Sequence, residues 1–273
     1  MDLMSLELTE KQFKRISRIV HRLCGIYLKS GKEALVRARL MKRLRALRMS
    51  SFEAYIRYIE SDAGARELEM MVDVMTTNKT SFFRESAHFD FLRDQVLPNL
   101  TNWRMRFWTA ACSSGEEPYS LGILLREHVP DVDRKDVKIL ATDISTRMLE
   151  RARTGEYGAD TLRDLPRPLL SKYFQRVPSG TGGEPWYQVS DAVRRSVRFA
   201  RLNLIEPWPM RGPFDVVFCR NVMIYFDRPT QQQLINRFWE LLDEGGYLFV
   251  GHSEGLSAIT HKFHYVRPAV YRK

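Results

Sequence analysis

A chain of 273 residues with 44% hydrophobic content and no low-complexity tract is long enough for one large domain plus a small one. No apolar run approaches the ~18 residues of a membrane span and no charged-then-apolar leader opens the sequence, so no membrane insertion and a cytoplasmic location are expected. The net charge of +10 calls for an acidic partner, and Cys24, Cys112 and Cys219, which lack metal spacing, read as reduced core thiols with no metal site.

Residues 9 to 75 read as four helices. Thr9-x-x-Gln12 is a capping box, Phe13, Ile16, Val20 and Leu23 recur at helical spacing, and Gly25 stands where the helix should stop. A second helix begins near Lys32 with Val36, Leu40, Leu44 and Leu47 as its buried stripe. Ser50-x-x-Glu53 caps a third, built on Phe52, Tyr55, Ile56 and Ile59, and a fourth runs through Leu68, Met71, Val72 and Met75. A helical domain over residues 1–76 follows. Arg37, Arg39, Lys42, Arg43, Arg45 and Arg48 cluster on its second helix, as either a solvated face or a surface for an acidic partner.

Residues 77–97 read as a linker and a connecting helix. The polar stretch Thr76 to Glu85 carries two aromatics, Phe82 and Phe83, which should pin the flanking domains together, while Asn78, Thr80 and Arg84 are candidates for ligand contact. Ser86 opens the helix that follows, on Phe89, Leu92 and Val96.

From residue 98 to 273 strands alternate with helices. Strands are expected at Met105 to Ala111, Val137 to Thr142, Val197 to Leu202, Phe214 to Cys219 and Tyr247 to Val250, with helices from Pro118 and Ser145 and a terminal hairpin at Phe263 to Val266 and Ala269 to Tyr271. That alternation implies an α/β fold with a Rossmann-like, doubly wound sheet. One piece breaks it. At about residues 172–196, Tyr173 to Val177 and Trp186 to Val189 flank the loop Pro178 to Pro185, and the pair reads as a small antiparallel β subdomain, either a decoration or an edge that receives a peptide strand.

In such a sheet a ligand binds beyond the carboxyl ends of the strands. The turn after the first strand, Ala110 to Gly115, is built of small residues, yet it has neither the G-x-G-x-x-G fingerprint nor a P-loop Lys-Ser/Thr, so it offers no pyrophosphate cradle. Glu116 and Glu117 stand where a phosphate would need donors; which of them faces the ligand stays open, and Glu117 is carried forward. Asp143, ending the second strand, is placed to accept hydrogen bonds from ribose hydroxyls, and Asn203, Leu204, Arg220 and Asn221 follow the third and fourth strands. A nucleoside without phosphates fits this set, and S-adenosylmethionine is the common one.

Four strings in order, Thr77-Asn-Lys-Thr-Ser-Phe-Phe-Arg-Glu85, Ala111-Cys-Ser-Ser-Gly-Glu-Glu-Pro-Tyr-Ser120, Ala141-Thr-Asp-Ile-Ser145 and Phe218-Cys-Arg-Asn-Val-Met-Ile-Tyr-Phe226, make the chain resemble the CheR family of chemotaxis receptor methyltransferases over its whole length. The resemblance implies a class I S-adenosylmethionine-dependent methyltransferase that converts receptor glutamates to methyl esters and releases S-adenosylhomocysteine. It implies that Asn78, Thr80, Arg84, Glu117, Asp143, Asn203, Leu204, Arg220 and Asn221 contact the cofactor. Arg84 and Tyr225 would lie at the transfer site, and Arg37, Arg43, Arg45 and Arg48 would face the glutamate-rich cytoplasmic helices of bacterial chemoreceptors. Pro178 to Pro185 looks longer than the corresponding loop of members that dock a receptor's terminal pentapeptide.

A glutamate carboxylate is ionised at neutral pH and attacks a sulfonium methyl without a general base, which suits a chain with no His, Cys or metal constellation in these motifs. A nucleic-acid base methyltransferase shares the fold and the positive charge, but usually carries Asn/Asp-Pro-Pro-Tyr/Phe after the fourth strand. Arg220-Asn221-Val222-Met223 stands there instead, so nucleic acid is not expected as a partner. A non-catalytic cofactor-binding adaptor is the third reading, against which Arg84 and Tyr225 argue.

Overall fold

The computed structural model describes residues 6–178 and 185–273. The chain divides into two units, one comprising the stretch up to Thr77 together with Tyr225–Thr230, the other Asn78–Ile224 with Gln231–Lys273. The segment read as a linker therefore opens the second unit, and six residues from far along the chain join the first.

The first unit holds α1 (Glu10–Cys24), α2 (Glu33–Ala46), α3 (Phe52–Ile59) and α4 (Ala65–Met75). The Thr9 capping box forms, and Gly25 ends α1 at φ 75°, a left-handed turn that a residue with a Cβ resists. The cap of α3 is Ser51, one residue later than the spacing suggested: its hydroxyl accepts the Ala54 N–H at 3.1 Å. Ile16, Val20, Val36, Leu40, Leu44, Tyr55 and Ile56 fill the core. The Tyr27 N–H donates to the Tyr225 carbonyl at 2.7 Å, Ile26 bridges Phe226, and His21 Nε2 lies 3.0 Å from Asp227, so Tyr225–Thr230 is held by the end of α1 and the residues after it.

The second unit begins with α5 (Ser86–Phe91), which loosens into a π turn at Leu92–Val96. There follow β1 (Arg104–Ala110), α6 (Glu116–His128), β2 (Asp136–Asp143), α7 (Thr146–Thr154), β3 (Glu156–Gly158), α8 (Arg167–Tyr173), β4 (Phe174–Val177), β5 (Trp186–Val189), α9 (Asp191–Ser196), β6 (Val197–Arg201), β7 (Phe214–Cys219), α10 (Arg228–Leu241), β8 (Leu242–Val250), β9 (His264–Arg267) and β10 (Val270–Arg272). The main sheet has the order β6-β2-β1-β7-β8-β10-β9. Its first five strands are parallel, and the terminal hairpin closes one edge antiparallel. The central strands are covered on both faces, which is why they read as apolar runs and not as alternation. Phe218 and Phe249 stack across β7 and β8 with ring centroids 4.5 Å apart.

Phe82 and Phe83 are anchored inside this unit. Phe82 packs edge-on against Tyr157 and Phe174, and Phe83 against Phe89, so the pair ties the Asn78–Glu85 segment to the α/β unit. The small antiparallel sheet has three strands, in the order β3-β5-β4. Its extra strand, Glu156–Gly158, is too short to show a period. Of the loop Pro178 to Pro185, residues 179–184 lie outside the described residues. All three cysteines are buried and free, and no helix among the described residues is long and apolar enough to cross a membrane.

Candidate active site

Strand register gathers the site. Ala110 pairs with Thr142 on one side and Cys219 on the other, and Cys219 pairs with Val250, so the residues that leave these strands, Ala111, Asp143, Arg220 and Gly251, emerge side by side. Between β1 and β7 the direction of winding reverses, which opens a crevice at that point.

The turn after β1 is tightly wound. Ala111, Ser113 and Gly115 all have positive φ, and a Cβ at Gly115 would come within 2.9 Å of the Tyr157 hydroxyl oxygen. Asp143 fastens the turn: its Oδ2 accepts the Ser113 N–H at 2.7 Å and its Oδ1 the Ser145 N–H at 2.9 Å. An ionised carboxylate has about four lone-pair sites. Asp143 thus shapes the loop with both carboxylate oxygens at the end of β2.

The two adjacent glutamates part company. Glu116 turns back to accept the Ser114 hydroxyl at 2.7 Å and is buried, whereas Glu117 reaches Arg220 Nη1 at 3.2 Å. Burial pushes the Glu117 carboxyl up to about 7, against the pull of Arg220. Arg220, its side chain 1% exposed, also lies 3.1 Å from Glu85 Oε2, donates to the Arg84 carbonyl and rests over Phe89 and Phe218. Its Nε has no hydrogen-bond partner. Asn221, at φ 60°, donates its side-chain amide to Glu85 Oε1 at 3.1 Å.

Glu254 was not foreseen. Buried behind β7 and β8, it accepts the N–H groups of Asn221 at 2.6 Å, Gly251 at 2.7 Å and Ile224 at 3.1 Å, clamping the two strand exits together. Its signal in the sequence was an acidic residue just past a strand end, the same signal that marked Asp143.

The remaining candidates divide. The Asn78 carbonyl accepts the Ser113 hydroxyl at 3.0 Å, and Arg84 Nη1 donates to the Lys79 carbonyl at 2.8 Å; with Thr80 half-buried between them, this segment lines the β1 turn. Leu202 N–H bonds the Asp143 carbonyl at 3.0 Å, which brings Asn203 and the buried Leu204 to the end of β2. Tyr225 belongs to the helical unit, not to the α/β unit in which its motif placed it. There too Arg43 turns inward, with both its Nε and Nη2 on the buried Glu67 at 2.8 and 2.7 Å, while Arg37 donates to the Leu6 carbonyl at 2.6 Å. Arg45 and Arg48 are exposed. Arg43 is therefore tied into the fold by Glu67.

A small-residue turn, acidic strand ends, no phosphate cradle and a buried guanidinium with one unbonded nitrogen fit a nucleoside cofactor that carries carboxylate and ammonium groups. The fold and the cleft are those of an S-adenosylmethionine-dependent methyltransferase. Residues 78–271 match the SAM-binding domain of CheR methyltransferases, and residues 11–76 match their all-alpha domain. A probable chemotaxis protein methyltransferase of Rhizobium etli is 43% identical over 254 residues, covering 91% of this chain and 94% of that protein. The chemotaxis protein methyltransferase of Borreliella burgdorferi is 39% identical over 280 residues (99% and 96%), and that of Escherichia coli 40% over 260 residues (94% and 89%). The chain belongs to the CheR methyltransferase family.

Proposed function

We propose that this enzyme methylates glutamate side chains on the cytoplasmic helices of bacterial chemoreceptors, using S-adenosylmethionine and releasing S-adenosylhomocysteine. The observation that carries the reading is the cleft in which Asp143, Glu117, Arg220 and Asn221 meet at the reversal point of the sheet. Asp143 would accept the ribose hydroxyls, and Arg220 with Asn221, held by Glu85 and Glu254, would take the amino-acid end beside Glu117. Asn78 and Thr80 would close over it, with Asn203 and Leu204 at the far rim. When bound, the cofactor supplies an electrophilic methyl on a sulfonium.

The attacking carboxylate needs no base, so the chain's residues have to align it and keep water out. Arg84, partly buried, would orient the incoming carboxylate. Arg45 and Arg48 remain as exposed cations suited to an acidic helix.

Incubation with a purified receptor cytoplasmic fragment and methyl-labelled S-adenosylmethionine tests the proposal. Base-labile label on receptor glutamates is expected. Label that resists base, or that appears in nucleic acid and not in receptor, would contradict it.

A further inference from the structure

His88, on α5, is 1% exposed, yet neither of its ring nitrogens has a hydrogen-bond partner. Buried polar groups are almost always satisfied, so two orphaned nitrogens on one imidazole ask for a ligand. Glu85 Oε2 faces it, ion-paired with Arg220 at 3.1 Å and lying 3.5 Å from His88 Nδ1 and 4.0 Å from His252 Nε2. His252 stands on the loop after β8, edge-on to His88 with ring centroids 4.8 Å apart, and its side chain is 53% exposed, which opens the cluster to solvent. Donor atoms of all three residues fall within 4.8 Å of one another.

Two imidazoles and one carboxylate are a known zinc donor set, with bonds of about 2.0–2.2 Å that bring donor atoms to roughly 3.4 Å from each other. The His88–Glu85 pair is already at that spacing, and the exposed His252 is the partner free to close the rest. Burial disfavours a protonated His88, and the cations Arg220 and Arg267 add to that; they would repel a metal ion too. Glu85, beside both imidazoles, supplies the opposing charge. The sequence pointed away from metal because Glu85 and His88, at the start of α5, lie far along the chain from His252, which follows β8.

We propose that Glu85, His88 and His252 form a site for a divalent transition-metal ion of the zinc type, and that filling it draws Glu85 away from Arg220 and Asn221 and weakens cofactor binding. The coupling rests on the assignment of Arg220 and Asn221 to the cofactor; metal binding does not. The test uses metal-free protein titrated with Zn2+ by calorimetry and with Co2+ by visible absorption, without cofactor, for wild type and His252→Ala. S-adenosylhomocysteine is then titrated with and without Zn2+. Wild type is expected to take one Zn2+ and to give a tetrahedral Co2+ band, with affinity at least about tenfold lower in the variant. Zn2+ should weaken S-adenosylhomocysteine binding about fivefold or more in wild type and leave the variant unchanged. Equal metal affinity in the two proteins, or no uptake by either, overturns the site, and Zn2+ uptake through His252 with unaltered cofactor affinity overturns the coupling. Failure of metal-free wild type to bind S-adenosylhomocysteine would instead fault the cofactor assignment.

Discussion

Each unit of the molecule sets an arginine against carboxylates, Arg43 in one and the buried Arg220 in the other, and the two networks differ in completeness. In the helical unit Arg43 makes two parallel bonds to Glu67, and the Tyr55 hydroxyl donates to the same carboxylate at 2.9 Å. In the α/β unit Arg220 spreads over Glu117, Glu85 and a carbonyl, yet its Nε and Glu85 Oε2 take no hydrogen bond, and Glu117 is pushed up to about 7. A closed network holds a fold; an open one, at a strand switch point, is shaped for something that completes it.

Arg220→Met breaks the comparison hardest. It keeps apolar volume against Phe89 and Phe218 but strips two carboxylates of their cation, and methyl transfer should fall at least about a hundredfold, a loss of roughly 2.7 kcal/mol or more. A labelled-methyl assay on folded variant measures it. Arg43→Met should instead cost about 3 kcal/mol of stability by leaving Glu67 buried and unpaired, with cofactor affinity unchanged. Urea unfolding followed by cofactor titration separates the two effects.

Glu117 sharpens the contrast through pH. Its folded-state value of about 7 lies above the ordinary 4.5, so between these values the native protein holds more protons than the unfolded chain, and this group's contribution makes stability fall as pH rises. Glu117→Gln should flatten the decline between about pH 5 and 7.5, read as urea midpoints at the two ends. An unaltered slope would remove Glu117 from the buried network. The smallest effect on the fold belongs to Arg45→Glu with Arg48→Glu: stability should move by no more than about 0.5 kcal/mol, while receptor methylation slows and loses part of its salt dependence. Salt-titrated rates with a receptor fragment check this.

Much of this was legible in the sequence because the signals were local. Period and caps located the helices of the first unit, apolar runs located the strands of the main sheet, and strand-end residues such as Asp143 and Arg220 marked the crevice. What escaped depends on partners distant in the chain. Arg43 reads like its basic neighbours until Glu67 is brought opposite it, and Tyr225 reads as part of the strand-end motif until Tyr27 binds its carbonyl. Glu116 and Glu117 cannot be told apart as a string. Rotation about the first turn of α6 sends one to Ser114 and the other to Arg220.

The most direct test is a calorimetric titration of S-adenosylhomocysteine into wild type, Arg43→Met and Arg220→Met under one set of conditions. If the open network is the cofactor site and the closed one is scaffold, wild type and Arg43→Met bind alike and Arg220→Met binds at least about a hundredfold more weakly. Equal binding by wild type and folded Arg220→Met would contradict that account.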